Sequence, residues 1–138
     1  MLEIRFRAWY IPEKKMYFRA YQKLTYILLC LPNQGGGGNE DPGIPRLRAA
    51  FEDCLLMEST GILDKNEREI FEKDILRVYY QKKNFSAVAE DIPDMFKSRG
   101  LHPLHELLVK LGLPQEAGGV SFEIAGNILE QPELIPAD

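Results

Sequence analysis

The sequence predicts a mainly β protein of the α+β class, built on an antiparallel sheet. Residues 2–9 and 16–21 alternate apolar and polar side chains, and residues 11–15 between them have the composition of a turn. Together these three segments predict a hairpin. A second hairpin is centred on residues 64–66, because Asp and Asn side chains favour tight turns. Clear helical periodicity comes later, with a leucine stripe in residues 103–111.

Further elements follow the first hairpin. Residues 25–31 are apolar enough for a strand buried on both faces, and residues 33–44, with four successive glycines, predict a flexible loop. Residues 45–54 place apolar side chains on one helical face, which favours a short helix leading into a strand at residues 55–59. In the first hairpin, the side chains expected to face the core are Ile4, Phe6, Ala8, Met16, Phe18 and Ala20.

The second half combines strands with a helical insert. Residues 75–80 and 85–89 predict two strands joined by a polar turn. Residues 90–119 form the insert, with one or two helical turns closed by Gly100 and a longer helix closed by Gly112. We expect this insert to cap the sheet or to cover an edge strand. The alternating side chains that predict the last strand are Val120, Phe122 and Ile124.

Composition limits the classes of function. The chain has 138 residues and a net charge of −4, which argues against bulk electrostatic binding to nucleic acid or to an anionic membrane. No apolar segment approaches the length of about 20 residues that spans a bilayer. The chain begins directly in a strand pattern without a signal peptide, so we expect a soluble, cytoplasmic protein.

The charges are unevenly placed along the chain. Residues 1–30 hold six basic and two acidic side chains, whereas residues 101–138 hold one lysine and six acids. This asymmetry could orient self-association or a partner, and the alternative is an ordinary mixed surface.

Chemistry-bearing residues form no catalytic or metal-binding pattern. Cys30 and Cys54 lie in apolar surroundings, which indicates buried free thiols. Pro103 separates His102 from His105, and no third ligand is nearby. The glycine run lacks the Lys-Ser or Lys-Thr of a phosphate loop, and the turn at residues 64–66 lacks the glycine of a calcium loop. We therefore expect no enzyme activity, metal or cofactor.

One predicted surface could bind nucleic acid. Arginines beside aromatic side chains on a sheet can hold phosphates and stack bases. The alternatives are that these side chains stack on one another, pack beneath the insert, or form a subunit interface. The set consists of Arg5, Arg7, Arg19, Trp9, Tyr17 and Tyr21.

Three segments carry a family resemblance. Residues 60–75 read Thr-Gly-Ile-Leu-Asp-Lys-Asn-Glu-Arg-Glu-Ile-Phe-Glu-Lys-Asp-Ile. This segment resembles one in the YopX family of phage and prophage proteins, Thr-Gly-Leu-x-Asp-Lys-Asn-Gly-Lys-Glu-Ile-Tyr-Glu-Gly-Asp-Ile. Residues 3–17 and 122–134 also resemble the two ends of that family, in the same order, whereas residues 79–119 do not. The central matches are Thr60, Gly61, Asp64, Lys65, Asn66, Glu69, Ile70, Glu72, Asp74 and Ile75.

The resemblance implies a fold and a context. It implies a single YopX-like domain over residues 1–138, with an SH3-like partial barrel and one or two helices from the insert. It also implies a phage or prophage origin, but no catalytic residues, because the family is uncharacterised. Glu67 and Lys73 stand where the family usually has glycine, so we expect Asn66 to adopt the left-handed backbone in place of Glu67.

Together these points predict a non-enzymatic protein-interaction module, a homo-oligomer in the cytoplasm of a bacterial host. The alternative is a nucleic-acid-binding accessory protein that uses the Arg/aromatic face. No membrane partner is expected.

Overall fold

The computed structural model describes residues 5–32, 43–89, 92–112 and 120–136. The chain divides into two compact units, Met1–Ser59 and Thr60–Asp138, and both consist mainly of β-strands. This confirms the predicted mainly β fold. Two units can be parts of one domain, so the single domain over residues 1–138 stays a prediction. Of the predicted loop at 33–44, residues 33–42 lie outside the described residues.

The first unit is an antiparallel meander closed by a fifth strand. In spatial order its strands run β4-β3-β2-β1-β5, and all four neighbouring pairs are antiparallel. Residues 11–14 join β1 to β2 and residues 23–26 join β2 to β3, which are short connections typical of antiparallel hairpins. The strands are β1 (Phe6–Tyr10), β2 (Lys15–Gln22), β3 (Ile27–Leu31), β4 (Ile44–Ala49) and β5 (Cys54–Leu63), and the last of these continues into the second unit.

A bulge in β2 changes which of its side chains are buried. Ala8 is opposite Tyr17, but Phe6 is opposite Ala20, so two steps on β1 correspond to three on β2. The extra residue shifts the alternation. Tyr17 is 1% exposed and Phe18 is 51% exposed. The prediction that Phe18 faces the core was therefore wrong.

The helix predicted at residues 45–54 was also wrong. The structure has strand β4 there, followed by a 3₁₀ turn at Phe51–Asp53. Within β4, Leu47 and Ala49 face the core between exposed Arg46 and Arg48, which is a strand period of two. Pairing with β3 satisfies the backbone groups of this short segment, and its apolar residues fit both periods.

The link between β4 and β5 requires the sheet of the first unit to curve. These strands stand at opposite ends of its strand order, which is about 19 Å across four strand spacings in a flat sheet. Only residues 50–53 join them, and three of these form a 3₁₀ turn that advances about 2 Å per residue. The sheet must therefore curve to bring β4 towards β5. One side chain from each strand, Ala49 of β4 and Cys54 of β5, lies in the same buried cluster.

The second unit packs one helix on a four-stranded sheet. Its strand order is β10-β7-β8-β9, and the helix α2 buries Leu104, Leu107 and Leu108 against this sheet. The last part of β5 runs beside β6, where Thr60 Oγ1 donates a hydrogen bond to the Ile70 carbonyl (2.8 Å). The elements are β6 (Glu69–Phe71), β7 (Asp74–Tyr80), β8 (Lys83–Val88), α1 (Asp94–Lys97), β9 (Leu101–Pro103), α2 (Leu104–Lys110) and β10 (Val120–Asn127).

The described part of the insert, residues 92–112, contains both predicted helical segments. Helix α1 is followed by Gly100 and helix α2 by Gly112, and both glycines have positive φ. Between the helices, β9 pairs in parallel with β8, which the sequence did not predict. The insert thus covers one edge of the sheet, which would otherwise offer unpaired backbone groups.

The central turn is organised by the carboxylate of Asp64. Its Oδ1 accepts hydrogen bonds from the backbone amides of Asn66 (2.9 Å) and Arg68 (2.8 Å). Its Oδ2 accepts the amide of Ile124 on β10 (3.2 Å), and Lys65 N donates to the Phe122 carbonyl (2.7 Å). One buried side chain therefore shapes the turn and attaches it to the last strand.

Two residues of this segment have a left-handed backbone, and Asn66, which was expected to have one, does not. Glu67 has a φ of 63° and Lys73 a φ of 70°, and these are the positions where the resemblance places glycine. Asn66 does not have positive φ, so the expectation that it would replace Glu67 in this role was wrong. Left-handed backbone costs an L-residue about 1–2 kcal/mol.

We predict that Glu67→Gly and Lys73→Gly each raise the free energy of unfolding, by about 0.5–1 kcal/mol. Relief of left-handed strain exceeds the greater loss of chain entropy that glycine brings. Asn66→Gly is the matched control and should lower stability, because it adds entropy cost without relieving strain. Urea denaturation of the three variants measures this. Equal effects of all three glycines would contradict the account.

Candidate functional site

The six predicted Arg/aromatic residues do not form one exposed face. Arg7 is 2% exposed, and Tyr17 is buried as well. The other four are half-buried. Because Tyr17 is opposite Ala8, it lies on the other side of the sheet from Arg7 and Trp9, which flank Ala8 on β1. The predicted grouping was therefore wrong, and the reason is the bulge in β2. A role in nucleic-acid binding stays a prediction. The half-buried members are Arg5, Trp9, Arg19 and Tyr21.

Tyr17 is the centre of a cluster of charged and aromatic side chains. Its hydroxyl donates a hydrogen bond to Glu13 Oε1 (2.5 Å), and Glu13 Oε2 lies 3.3 Å from Arg46 Nη2. The Lys15 ammonium lies 5.0 Å from the centre of the Tyr17 ring, and the Arg46 guanidinium lies 5.8 Å from it. Tyr10 meets the same ring edge-on at 6.3 Å. Cations over an aromatic face are held by its quadrupole.

The protonation of Tyr17 follows from this environment. Burial, together with the hydrogen bond to Glu13, raises the pKa of Tyr17 to about 12. Both causes disfavour the phenolate, because burial removes its solvation and Glu13 is an acceptor. Tyr17 is therefore a neutral hydrogen-bond donor that fixes Glu13, and not a proton-transfer group.

Two more cation–tyrosine pairs lie on the same strands. The Lys23 ammonium is 5.8 Å from the centre of the Tyr21 ring, and the Arg48 guanidinium is 4.8 Å from that of Tyr26. All four of these cations are exposed, and each lies over a tyrosine ring of the first unit. The rings thus hold long side chains that would otherwise sample many rotamers.

These cations belong to a predominantly basic region, which we call the basic meander and whose Arg46 pairs with Glu13 of the preceding turn. It comprises residues 14–32 and 43–51, which include β2, β3 and β4 and contain no Asp or Glu. Residues 33–42 between them, with Glu40 and Asp41, lie outside the described residues. The basic side chains of the meander are Lys14, Lys15, Arg19, Lys23, Arg46 and Arg48.

The basic meander also exposes two apolar side chains at one end. Phe18 is half exposed, and Ile44 is 47% exposed. Ile44 is opposite Leu31 on β3, and Arg19, the residue after Phe18, is opposite Cys30. Since Cys30 and Leu31 are neighbours on β3, Phe18 on β2 and Ile44 on β4 lie near the same end of the sheet. Apolar groups ringed by charges are typical of protein-binding surfaces.

The basic excess noted in residues 1–30 included Lys14, Lys15, Arg19 and Lys23, but only Arg19 was named as a candidate site residue. Arg46 and Arg48 were not singled out, because no alternation pattern connects them with the others. The signal that could have found them is the absence of Asp and Glu from residues 14–32 and 43–51.

In the second unit, the carboxylates of Asp64 and Asp74 in the central motif accept backbone amides. Asp74 Oδ2 accepts the Phe71 amide (2.8 Å), as Asp64 accepts three other amides. On the sheet surface, Glu123 bonds to Lys65 (3.3 Å) and accepts the Tyr79 hydroxyl (3.0 Å). These contacts have structural explanations, since carboxylates that accept backbone amides commonly fix turns.

The remaining candidates for chemistry are dispersed. Cys30 and Cys54 are buried free thiols, as predicted, and burial raises the pKa of both, which disfavours the reactive thiolate. His102 lies on β9 and His105 on α2. Within the described ranges, no three His, Cys, Asp or Glu side chains are grouped to hold a metal ion. No helix in this part of the chain has the length and apolar character to cross a membrane.

Strand β10 is followed by a hydrogen-bonded acidic turn, which we define as residues 128–134. Asn127 Oδ1 accepts the amides of Leu129 (3.1 Å) and Glu130 (2.7 Å), and Gln131 Oε1 accepts the amide of Asn127 (3.0 Å). A Cβ on Gly126 would lie 2.6 Å from Gln131 Oε1, so a larger residue there would displace the Gln131 side chain. The acidic turn exposes Glu130, Glu133 and Leu134.

We predict that Tyr17 contributes stability that is lost in alkali. Its folded-state pKa of about 12 exceeds the ordinary value of 10.0, so this stability is complete below pH 10 and disappears as the pH rises towards 12. Tyr17→Phe should lose about 1 kcal/mol at neutral pH and show a smaller decline above pH 10. Denaturation midpoints measured between pH 8 and about 12 test this. Tyr26→Phe is the control and should keep the decline of the unmodified protein; an unchanged decline in Tyr17→Phe would contradict the assignment.

Comparison with known proteins places the chain in a family. The chain is similar over 98% of its length to a protein of known structure, described as the crystal structure of protein EF1440 from Enterococcus faecalis. The match covers 99% of that chain, at 22% sequence identity and a TM-score of 0.50, and it supports the fold alone. No curated protein sequence matches the chain. The family model described as YopX protein matches residues 5–136, which is nearly the whole sequence, and this chain therefore belongs to the YopX family.

Proposed function

We propose that this protein is a non-enzymatic interaction module that binds an acidic protein partner through the basic meander. The observation that carries the proposal is the meander itself, which combines six cations and no acid in its described residues with half-exposed Phe18 and Ile44. Exposed apolar groups supply affinity, and the excess of positive charge selects the partner. The partner should carry an apolar side chain among carboxylates.

The cation–tyrosine pairs favour this function on energetic grounds. A free lysine or arginine loses much rotamer freedom when it binds, which lowers affinity. Lys15, Lys23, Arg46 and Arg48 already lie over tyrosine rings, so part of that entropy loss occurs on folding. The surface is therefore partly organised before a partner arrives.

Nucleic-acid binding is the second candidate, because the same cations could accept phosphates. Base stacking requires free aromatic faces. On this surface Tyr17, Tyr21 and Tyr26 already carry cations, and the exposed phenylalanine rings are Phe18 and Phe51. The arrangement therefore favours a protein partner over single-stranded nucleic acid.

The wider setting of the proposal is a phage- or prophage-encoded protein in the bacterial cytoplasm, as the family resemblance implies. We take the first unit as an SH3-like barrel, because its strand order is β4-β3-β2-β1-β5 and a 3₁₀ turn precedes β5. A role without catalysis is supported by Asp64 and Asp74, two of the carboxylates of the family motif, which accept backbone amides.

We predict that reversing two meander charges abolishes partner binding. The full chain is used as bait in bacterial lysate, with and without nuclease, and compared with the double variant Lys23→Glu/Arg48→Glu. The partner should survive nuclease and should bind the variant at least about tenfold more weakly, since opposed charges are replaced by like charges.

The matched control is Lys82→Glu/Lys83→Glu, which makes the same charge change on exposed residues of the second unit. This control should retain the partner, and circular dichroism should show both variants folded. Equal loss in both double variants would contradict a specific meander. Recovery of nucleic acid that is lost on nuclease treatment and falls steeply with salt would replace the proposal by the second candidate.

A further inference from the structure

The acidic turn has the chemistry that the basic meander requires of its partner. Residues 120–136 contain Glu123, Glu130 and Glu133 and no Lys or Arg. At the tip of this segment, Leu134 is 40% exposed beside Glu133. An apolar side chain beside carboxylates therefore stands on the surface of this chain.

The acidic turn is also fixed before binding. Its backbone is held by hydrogen bonds from Gln131 N to the Asn127 carbonyl (2.9 Å) and from Leu134 N to the Gln131 carbonyl (3.0 Å). The Asn127 amide group donates to Glu130 Oε1 (2.9 Å), so one of the two carboxylates has a defined position. A turn ordered in this way loses little further entropy on binding.

The net charges of the two units also differ, and the first unit, which holds the basic meander, is the more positive. Met1–Ser59 holds eight basic and seven acidic residues, a net charge of +1, whereas Thr60–Asp138 holds nine basic and fourteen acidic residues, a net charge of −5. Copies of the chain thus attract one another when the first unit of one approaches the second unit of the next.

We infer that the acidic partner of the basic meander is a second copy of this chain, bound through its acidic turn. In this contact Leu134 of one copy packs against Phe18 and Ile44 of the next, and Glu130 and Glu133 face the cations of the meander. The inference rests on the proposed function, because it names the occupant of the same surface.

The contact joins two different surfaces, so each copy keeps one free surface of each kind. Such a heterologous contact produces a closed ring or an open chain of copies, depending on the rotation between neighbours. This differs from a symmetric dimer, in which one surface meets its own equivalent.

The experiment is sedimentation velocity on the purified full chain over a range of concentrations, at low and at high salt. We expect species larger than one copy at low salt and dissociation as salt screens the charges. Phe18→Asp and Glu133→Lys, each on an exposed residue, should separately weaken assembly at least about tenfold, which corresponds to 1.4 kcal/mol or more.

A mixture of the two variants separates a head-to-tail contact from a symmetric one. The Phe18→Asp chain retains its acidic turn, and the Glu133→Lys chain retains its meander. The mixture should therefore form one contact and stop at two copies, near twice the chain mass of 15.8 kDa. Val109→Asp is the matched control on another exposed apolar residue and should assemble like the unmodified chain.

Two outcomes would overturn the inference. The first is assembly by Phe18→Asp and Glu133→Lys equal to that of the unmodified chain. The second is a monomer at all concentrations that still captures a nuclease-resistant protein dependent on Lys23 and Arg48, and this result would leave the proposed function standing. Loss of lysate partner and of assembly together in the meander variants, with folding intact, supports both.

Discussion

The structure of the second unit depends on the carboxylate of Asp64. One side chain accepts three backbone amides, two within its own turn and one from β10, which is 60 residues away in sequence. Hydrogen bonds to a charged acceptor are stronger than neutral ones, and a buried carboxylate that lost them would be costly. The family motif around residues 60–75 therefore encodes a junction: it ends one hairpin, fixes Glu67 in a left-handed conformation, and holds the last strand in place.

The two units use their polar and charged side chains differently. In the second unit, Asp64, Asp74 and Asn127 use their polar groups on the backbone, so these motif residues build the fold. In the first unit, the exposed cations of the basic meander rest on tyrosine rings and remain at the surface. The part of the sequence that defines the family is thus different from the part that we propose binds a partner.

Hairpins, helices and buried thiols could be predicted because each rests on a local pattern. The alternation of β1 predicts a strand, although Arg7 is buried as well as Ala8. The leucine stripe of α2 and the apolar surroundings of Cys30 report burial directly. The failures arose where pairing between strands decided the outcome. The bulge in β2 inverted the positions of Tyr17 and Phe18, and pairing with β3 made residues 44–49 a strand despite their helical spacing. The basic meander could not be assembled from alternation, since its cations come from three strands and the intervening turns.

Amide hydrogen exchange in the unmodified protein and in Asp64→Ala tests the central role of Asp64 most directly. The amides of Asn66, Arg68 and Ile124 donate to its carboxylate, so all three should be protected together in the unmodified protein. In Asp64→Ala they should lose that protection together, while the amides of β3 in the first unit keep theirs. Unchanged protection of these three amides in Asp64→Ala would contradict the account.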